Sequence, residues 1–500
     1  MSAVSASAEV VARAASGTAH SPLRTMVAHE WRVLRADRML LVVALLFAAL
    51  LGVALWNGVT WSRFQTRVVG ELAQADSSRF ARYADTLAVM TPGTPLADPF
   101  APDPRNPMTI GGARGGITAS LTPSQLSMLA VGQSDLMPYY YRVTTGLRQA
   151  VLKGDEIENP GNLLTGRFDL AFVIVVLFPL VILALSYNML SGEREDGTLA
   201  LVLSQPVQLR SLIFAKLGVR AVTVLSIAAA LVLAGLAVAR VDLTAAGQLS
   251  TSLWWFAIVV AYTAFWFGVA LVVNVLVRGS AASAVTVVTV WLVLVVLAPV
   301  LVNLVAQARY PTPSRVAFTT NVRTVTNDAN KVADRLLSKY LVDHPELATA
   351  GTVNMDDFWT RTFMVQDTIE KTLAPYYDAF DAQLAQQQAV VTTARVLTPA
   401  LLMQTALEDL AGTGLTRWQR FRAQTLDFHS RWQRFFSERQ MRQQKMSASD
   451  LPSVPRFTYV EEPGTAVAHR VLSAILWLLL PAGALWAFGL SRLRRYSVAG

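Results

Sequence analysis

Long apolar runs alternate with polar blocks along this chain of 500 residues. A helix needs about 20 apolar residues to cross a bilayer core about 30 Å thick, and six runs meet that need. No Asp, Glu, Lys or Arg interrupts the core of any run, which argues against a buried proton relay. We therefore predict six membrane-spanning helices, at residues 39–61, 168–187 (kinked at Pro179), 217–239, 252–277, 281–305 and 470–490.

The N-terminal region changes character at residue 21. Residues 1–20 are rich in Ala, Ser, Val and Gly, and we predict a disordered tail there. Residues 21–38 carry apolar side chains at helical spacing, with arginines largely elsewhere, which predicts an amphipathic helix in the membrane interface. A plain cytoplasmic helix is the alternative. The residues expected at the membrane surface are Trp31, Arg32, Arg35 and Arg38.

The distribution of Arg and Lys predicts the orientation of the spans. Cations cluster before the first span, in the loop 188–216, at Arg278 and after the last span, whereas the loop after the third span carries only Arg240. Because loops rich in Lys and Arg stay in the cytoplasm, both termini are expected there, including the tail 491–500. The two large polar blocks, 62–166 and 306–468, are then extracytoplasmic.

The extracytoplasmic blocks are predicted to be mainly helical. Long stretches of the second block lack internal Gly and, apart from Pro375, internal Pro, and strand-like alternation is sparse. The expected fold class is therefore all-α: a polytopic membrane protein with six transmembrane helices, an N-terminal interface helix and a mainly helical extracytoplasmic domain.

Charge and motifs exclude several classes of function. The net charge of +9 is largely explained by orientation, so nucleic-acid binding is not required. The chain has no Cys and five scattered His, which leaves no disulfide, thiolate or metal-ligand pattern. It also lacks a P-loop, a G-x-S-x-G elbow and an H-E-x-x-H motif. We therefore predict that the chain is not an enzyme and holds no cofactor of its own.

A charged insert lies between the second and third apolar runs. Four consecutive charges, Glu193 to Asp196, are followed by Gly197 and Thr198, and Thr198 can cap a short helix. That helix would have an apolar face beginning at Leu199 and would end before Pro206. A loop of this kind beside membrane helices is suited to contact a soluble partner. An ordinary solvated loop is the alternative.

This insert carries a resemblance to a known family. The sequence SGEREDGTLALVLSQPV at 191–207, with Lys216 after it, resembles the cytoplasmic loop of type-2 ABC transporter permeases. The N-terminal segment from Val27 looks like their amphipathic helix, and the six spans match their membrane unit. The outer blocks are similar to a subgroup with an extracytoplasmic domain of unknown function, related to gliding-motility and nitrous-oxide-reductase-maturation permeases; the similar segments are 129–141 and 310–314.

The resemblance implies a permease subunit of an ATP-driven ABC exporter in a bacterial cytoplasmic (inner) membrane. Two copies, or one copy and a paralogue, would form the translocation path as a dimer. Separate ABC ATPase subunits, which hold ATP and Mg, would dock on the cytoplasmic loop, and a periplasmic or outer-membrane protein is a further expected partner. The expected ATPase-coupling residues are Glu193, Arg194, Glu195, Gly197, Thr198, Leu199, Gln205, Pro206 and Lys216.

Two other functions remain open at this point. The chain could be a membrane-anchored receptor or scaffold whose outer helices bind a partner without transport. It could also be an enzyme acting on lipid at the outer face, but no polar catalytic cluster supports that reading. A co-purifying ATPase would distinguish transport from both.

Residues 415–445 combine aromatic and basic side chains at helical spacing. Such a segment can bind single-stranded nucleic acid or anionic lipid headgroups, or its aromatic face can pack in a core. We expect packing, because a domain of this size must build its own core without disulfides, and no nucleic acid is expected outside. An outer-domain contact surface would use Trp418, Arg420, Trp432 and Arg434.

Overall fold

The computed structural model describes residues 22–90, 102–152, 168–205, 208–311, 314–331 and 357–494. The predicted tail at 1–20 and Pro206 lie outside these ranges. Two short strands, β1 (Ile117–Ser120) and β2 (Tyr140–Val143), pair antiparallel with Ile117 opposite Val143. The helices are α1 (Pro22–Ala36), α2 (Arg38–Val89), α3 (Pro107–Gly111), α4 (Arg148–Leu152), α5 (Leu170–Ala184), α6 (Ser191–Glu195), α7 (Thr198–Leu203), α8 (Leu209–Ala239), α9 (Gln248–Leu276), α10 (Ser280–Arg309), α11 (Arg315–Lys331), α12 (Phe358–Ala394), α13 (Pro399–Ala411), α14 (Leu415–Met441) and α15 (Gly464–Leu493).

The predicted all-α polytopic fold is confirmed. Helices α2, α8, α9, α10 and α15 are long and apolar enough to cross a membrane. The remaining predicted span, 168–187, forms α5, which is about 22 Å long at 1.5 Å per residue. That is shorter than a bilayer core, and α5 lies buried among the other helices.

Proline shapes two of these helices through π-helical turns. In α5 a π segment, Val173–Leu177, directly precedes the turn that contains Pro179. In α10 the π segment Leu292–Leu297 stands in the same relation to Pro299. Proline has no N–H to donate and its ring clashes with the carbonyl four residues earlier, and a wider turn accommodates both effects.

Helix α2 extends far beyond the span predicted at 39–61. It runs for 52 residues, about 78 Å. Asp37 caps its N-terminus, where the Asp37 carboxylate accepts hydrogen bonds from the backbone N–H groups of Met39 and Leu40. The boundary expected at residue 62 therefore lies in mid-helix. Hydropathy falls there because the helix leaves the apolar layer, while nothing in the sequence breaks the backbone pattern.

Helix α9 is the centre of the membrane bundle. Its side chains anchor neighbours through buried hydrogen bonds: the Tyr262 hydroxyl donates to the Val175 carbonyl at 2.8 Å, and the Asn274 amide donates to the Ser186 carbonyl at 2.7 Å. Helix α15 packs along α9, and Gly489 permits close approach there, since a Cβ would lie 2.7 Å from Leu271. The polar domain is the part of the chain whose core is formed by the outer part of α2, residues 110–151 and residues 421–454. We call the side of the bundle that bears α1, α6 and α7 the loop face, and the opposite side, from which the polar domain extends, the domain face.

The polar domain has an aromatic core built on α14. Trp432 is fully buried and its indole N–H donates to the Gly111 carbonyl at 2.9 Å. Trp418 is half-buried and donates to the Pro138 carbonyl at 3.0 Å. The aromatic face of α14 therefore packs in the core, as expected, whereas Arg434 is exposed and Arg420 is half-buried. Use of these residues as a contact surface stays a prediction.

One part of the second polar block does not stay in the polar domain. After α12 the chain turns by 116° into α13, whose apolar residues join the core of the membrane bundle. Helix α13 has 13 residues, too few to span a bilayer, and the Ala411 carbonyl at its end accepts a hydrogen bond from Ser124 of the polar domain. Helix α13 therefore packs against the membrane bundle at the domain face, and the extracytoplasmic position of 306–468 stays a prediction.

Candidate functional site at the loop face

Four charged side chains meet beneath α1, a group we call the Lys216 network. The Lys216 ammonium lies 2.9 Å from Glu30 and 2.8 Å from Glu193. The Arg220 guanidinium lies 3.6 Å from the other carboxylate oxygen of Glu30. Glu30, Lys216 and Arg220 are 4, 5 and 7% exposed. Two carboxylates thus face two cations in a nearly closed, charge-balanced site.

The network joins three separate parts of the chain. Glu30 comes from α1, Glu193 from α6, and both cations from α8, one helical turn apart. Arg220 also donates a hydrogen bond at 2.6 Å to the carbonyl of Leu185, the residue directly after α5. Removing one partner from a buried ion pair leaves an uncompensated charge and costs about 3–5 kcal/mol. The loop, α1 and α8 therefore have to move together or break these pairs.

Arg220 corrects the expectation that the six apolar runs are uninterrupted. It is the fourth residue of the run predicted at 217–239 and is buried. A charge near the end of a span is tolerated when it is paired, and Glu30 and the Leu185 carbonyl supply the partners. Neither Arg220 nor Glu30 is among the site residues predicted from the sequence. Their signals are the four-residue spacing of Lys216 and Arg220 on one face of α8 and a carboxylate within an otherwise basic amphipathic helix.

A second contact ties the charged insert to α10. The Glu195 carboxylate accepts the backbone N–H and the hydroxyl of Ser280, both at 2.7 Å. These hydrogen bonds lower the pKa of Glu195, so the carboxylate remains charged at neutral pH. The Leu190 N–H, just before α6, donates to the Asn274 side chain of α9 at 3.2 Å. The insert therefore contacts α8, α9 and α10 at their loop-face ends.

Gly197 separates α6 from α7. Its φ of +71° is left-handed, which glycine adopts without strain, and it occupies the N-cap position of α7. The prediction that Thr198 caps this helix is wrong: Thr198 is its first residue, and its hydroxyl donates to the Glu193 carbonyl. Leu199 is buried, as the apolar face requires, while Leu201 on the other side is 72% exposed.

The predicted coupling residues divide into two sets. Glu193, Leu199 and Lys216 turn inward and hold the insert on the bundle. The outward set, part-buried or exposed, is Arg194, Gly197, Thr198 and Gln205. Glu195 is exposed as a residue but bound to Ser280. Of the coupling residues that the structure describes, the outward set, with Asp196 and Leu201 beside it, is accessible to a docking protein.

Three of the predicted interface residues lie on the outer surface of α1, and the fourth, Arg38, is the first residue of α2. Trp31, Arg32, Arg35 and Arg38 are all exposed, and the Arg35 guanidinium lies 5.1 Å from the Trp31 ring centroid. Helix α1 thus presents Glu30 to the bundle and an aromatic and basic surface away from it. That arrangement suits a helix at a headgroup layer. Among the described residues, no group of three or more His, Asp or Glu is arranged to hold a metal ion.

Two family models match the chain. Residues 162–297, which include α5 to α9 and most of the Lys216 network, match the ABC-2 family transporter proteins. Residues 315–460 match a domain of unknown function, DUF3526. No curated protein matches the chain significantly. The first match supports a multi-pass membrane permease of an ABC transporter, a class that works with ATPase partner subunits, and a transport rather than a catalytic role.

Proposed function

We propose that this chain is the permease subunit of an ATP-driven ABC exporter. It would act as a dimer, of two copies or with a paralogue, in a bacterial cytoplasmic membrane, with both termini in the cytoplasm and the polar domain outside. The ABC-2 match, the five long apolar helices and the excess of Arg and Lys on the loop face support this proposal. The ATP and Mg would be bound by the partner ATPase.

The observation that carries the proposal is the Lys216 network. An ATPase docked on the outward residues of α6 and α7 would displace the insert when it binds ATP. Because Glu193 is paired with Lys216, and Lys216 with Glu30, the displacement would pass to α8 and α1 together. The Glu195–Ser280 contact would pass it to α10. A motor protein could then bias the whole bundle between two arrangements.

The polar domain has a separate role in this proposal. The match to DUF3526 names no activity. The domain has its own aromatic core, to which the outer part of α2 contributes. We propose that it receives a periplasmic or outer-membrane partner. Exposed arginines of α14, such as Arg434, are the residues we assign to that contact.

The docking surface can be tested by reversing its charge. Arg194→Glu combined with Asp196→Lys changes two outward residues that make no ion pair in the described structure. We expect the ATPase to be lost when the tagged complex is purified from its membranes. The matched control is Arg434→Glu with Asp427→Lys on the exposed side of α14, which should retain it. Equal ATPase recovery from both variants would refute docking at this loop, and no ATPase with the unmodified chain would favour the receptor or scaffold function.

A further inference from the structure

A cavity lies at the domain face, between the polar domain and the bundle. It has a volume of about 320 Å³ and is formed by the start of α9, the end of α13, the start of α15 and a loop of the polar domain. Trp254, Ser250 and Thr251 of α9 line one side. Four carboxylates and two guanidinium groups line the rest: Glu408, Asp409, Glu461, Glu462, Arg417 and Arg470.

Both arginines of this cavity are fully engaged. Arg470 donates to Asp409 at 2.9 Å and to both oxygens of Glu462 at 2.9 Å. Arg417 makes a two-point contact with Glu461 and donates to the carbonyls of Gly412 and Thr122. Planar guanidinium groups held by two-point contacts are fixed in orientation. They are therefore not free to neutralise a further carboxylate.

Glu408 is the carboxylate that remains. It is 7% exposed, and its carboxylate accepts a hydrogen bond from the neutral side-chain amide of Gln404 at 2.6 Å. No cation pairs with it among the described residues. Behind it, Asp169 is satisfied by the backbone N–H groups of Val131, Gly132 and Phe172 and brings no positive charge. A buried carboxylate without a cation is costly, so this site favours a ligand that supplies one.

A second polar group that lines the cavity lacks a hydrogen-bond partner in the described structure. The side-chain nitrogen of Gln248, at the start of α9, is buried without a hydrogen bond in the described structure. The Trp254 ring, nearby on the same helix, offers an aromatic surface on which a cation or an apolar group can rest. The cavity therefore combines one uncompensated negative charge, one free amide and an apolar wall.

We infer that this cavity binds a primary ammonium group carried on a short apolar body. The ammonium would pair with Glu408, the apolar part would lie against Trp254, and the amide of Gln248 would meet a polar substituent. The source of the ammonium is either a soluble amine or an aminophospholipid headgroup at the membrane surface. Naming this ligand as the exported substrate rests on the proposed function; its binding does not.

The pH dependence of binding gives the inference a sharp signature. Burial raises the pKa of Glu408 to about 7, with the Gln404 hydrogen bond opposing and the nearby Asp169 and Asp409 charges adding to the rise. Glu462 and Arg470, which also line the cavity, form an ion pair with each other. Alkylamines stay protonated below about pH 10, so affinity should rise roughly tenfold from pH 6 to pH 8 as Glu408 ionises. His469, an exposed neighbour of Arg470, is the other group to control for.

The test measures binding of three phenyl-bearing probes of similar size to the purified full chain in phosphatidylcholine nanodiscs. 2-Phenylethylamine should bind at least about tenfold more tightly than 2-phenylethanol or phenylacetate, which corresponds to about 1.4 kcal/mol. Glu408→Gln should abolish that preference and the pH dependence, whereas Glu438→Gln on the exposed side of α14 and His469→Gln should keep both. If Glu408→Gln does not fold, the pH dependence in the unmodified and His469→Gln proteins decides.

Adding phosphatidylethanolamine to the nanodiscs distinguishes the two sources. Competition with 2-phenylethylamine assigns the site to the lipid headgroup, and unchanged binding assigns it to a soluble amine. Equal binding of the three probes, or a preference that survives Glu408→Gln, overturns the inference. Because the ATPase is absent from this experiment, its outcome is independent of whether the chain is an exporter subunit.

Discussion

The Lys216 network and the domain-face cavity are both clusters of buried charge, but their balance differs. In the network, two carboxylates face two cations, and each cation has a partner within 4 Å. In the cavity, four carboxylates face two arginines, and Glu408 has no cation partner within the described part of the chain. A balanced cluster fixes the elements that carry it, whereas an unbalanced one retains binding energy for something not yet present. The same residue types can therefore serve transmission at one face and recognition at the other.

The largest effect should come from emptying the centre of the balanced cluster. Lys216→Met would leave Glu30 and Glu193 facing each other without the ammonium between them. Because both pairs are short and largely buried, we expect a loss of about 3–5 kcal/mol, seen as a lower thermal midpoint in detergent. Lys331→Met, which removes an exposed lysine paired with Asp328, should change the midpoint little. Equal shifts would mean that the network contributes nothing special to stability.

The unbalanced cluster should respond to pH in the opposite sense to an ordinary ion pair. The pKa of Glu408 in the fold, about 7, lies above its usual value, so the folded state favours the protonated form. Stability should therefore fall as pH rises from 5 to 8, by up to about 3 kcal/mol. Glu408→Gln should remove this loss, and the difference in thermal midpoint between variant and parent should grow with pH. A constant difference would contradict the account of an uncompensated carboxylate.

A smaller effect is expected where the insert turns between α6 and α7. Gly197→Ala places a side chain in a left-handed conformation, at a cost of about 1–2 kcal/mol, although no atom obstructs the new Cβ. Gly218→Ala in α8 also meets open space but lies in a helix, where alanine is favoured by up to about 1 kcal/mol. The two substitutions should shift the thermal midpoint in opposite directions. A shift of the same sign would show that the turn is not constrained.

What the sequence could predict follows from local physics. Hydropathy located the apolar runs because each span is determined by its own composition, and the aromatic face of α14 appeared in its spacing. The continuation of α2 past residue 61 could not be predicted from hydropathy. Hydropathy indicates whether a segment lies in an apolar or a polar environment, and it does not indicate whether the helical backbone continues. The packing of α13 on the membrane bundle was hidden because its apolar segment is short and ends in Glu408 and Asp409, which look like surface residues.

The two charge clusters were harder to predict because they form between distant segments. Glu30 meets Lys216 only after α1 packs on α8, and Glu408 lies against Gly132, whose missing side chain leaves the room for it: a Cβ there would be 2.9 Å from the Glu408 side chain. The family resemblance placed Glu193 and Lys216 in one motif. It could not say that they bind each other, nor that Arg194 and Asp196 remain as the outward residues.

The most direct test of the account separates docking from transmission at the loop face. Glu193→Gln removes the inward charge that pairs with Lys216 and leaves the outward residues unchanged. We expect the ATPase still to purify with this variant. The ATP turnover that the membrane subunit stimulates should fall at least about fivefold, which is the lower end of typical coupling effects. Glu438→Gln should leave both the ATPase recovery and the stimulated ATP turnover unchanged. Normal stimulated turnover in Glu193→Gln would contradict the claim that the Lys216 network couples the loop to the membrane helices.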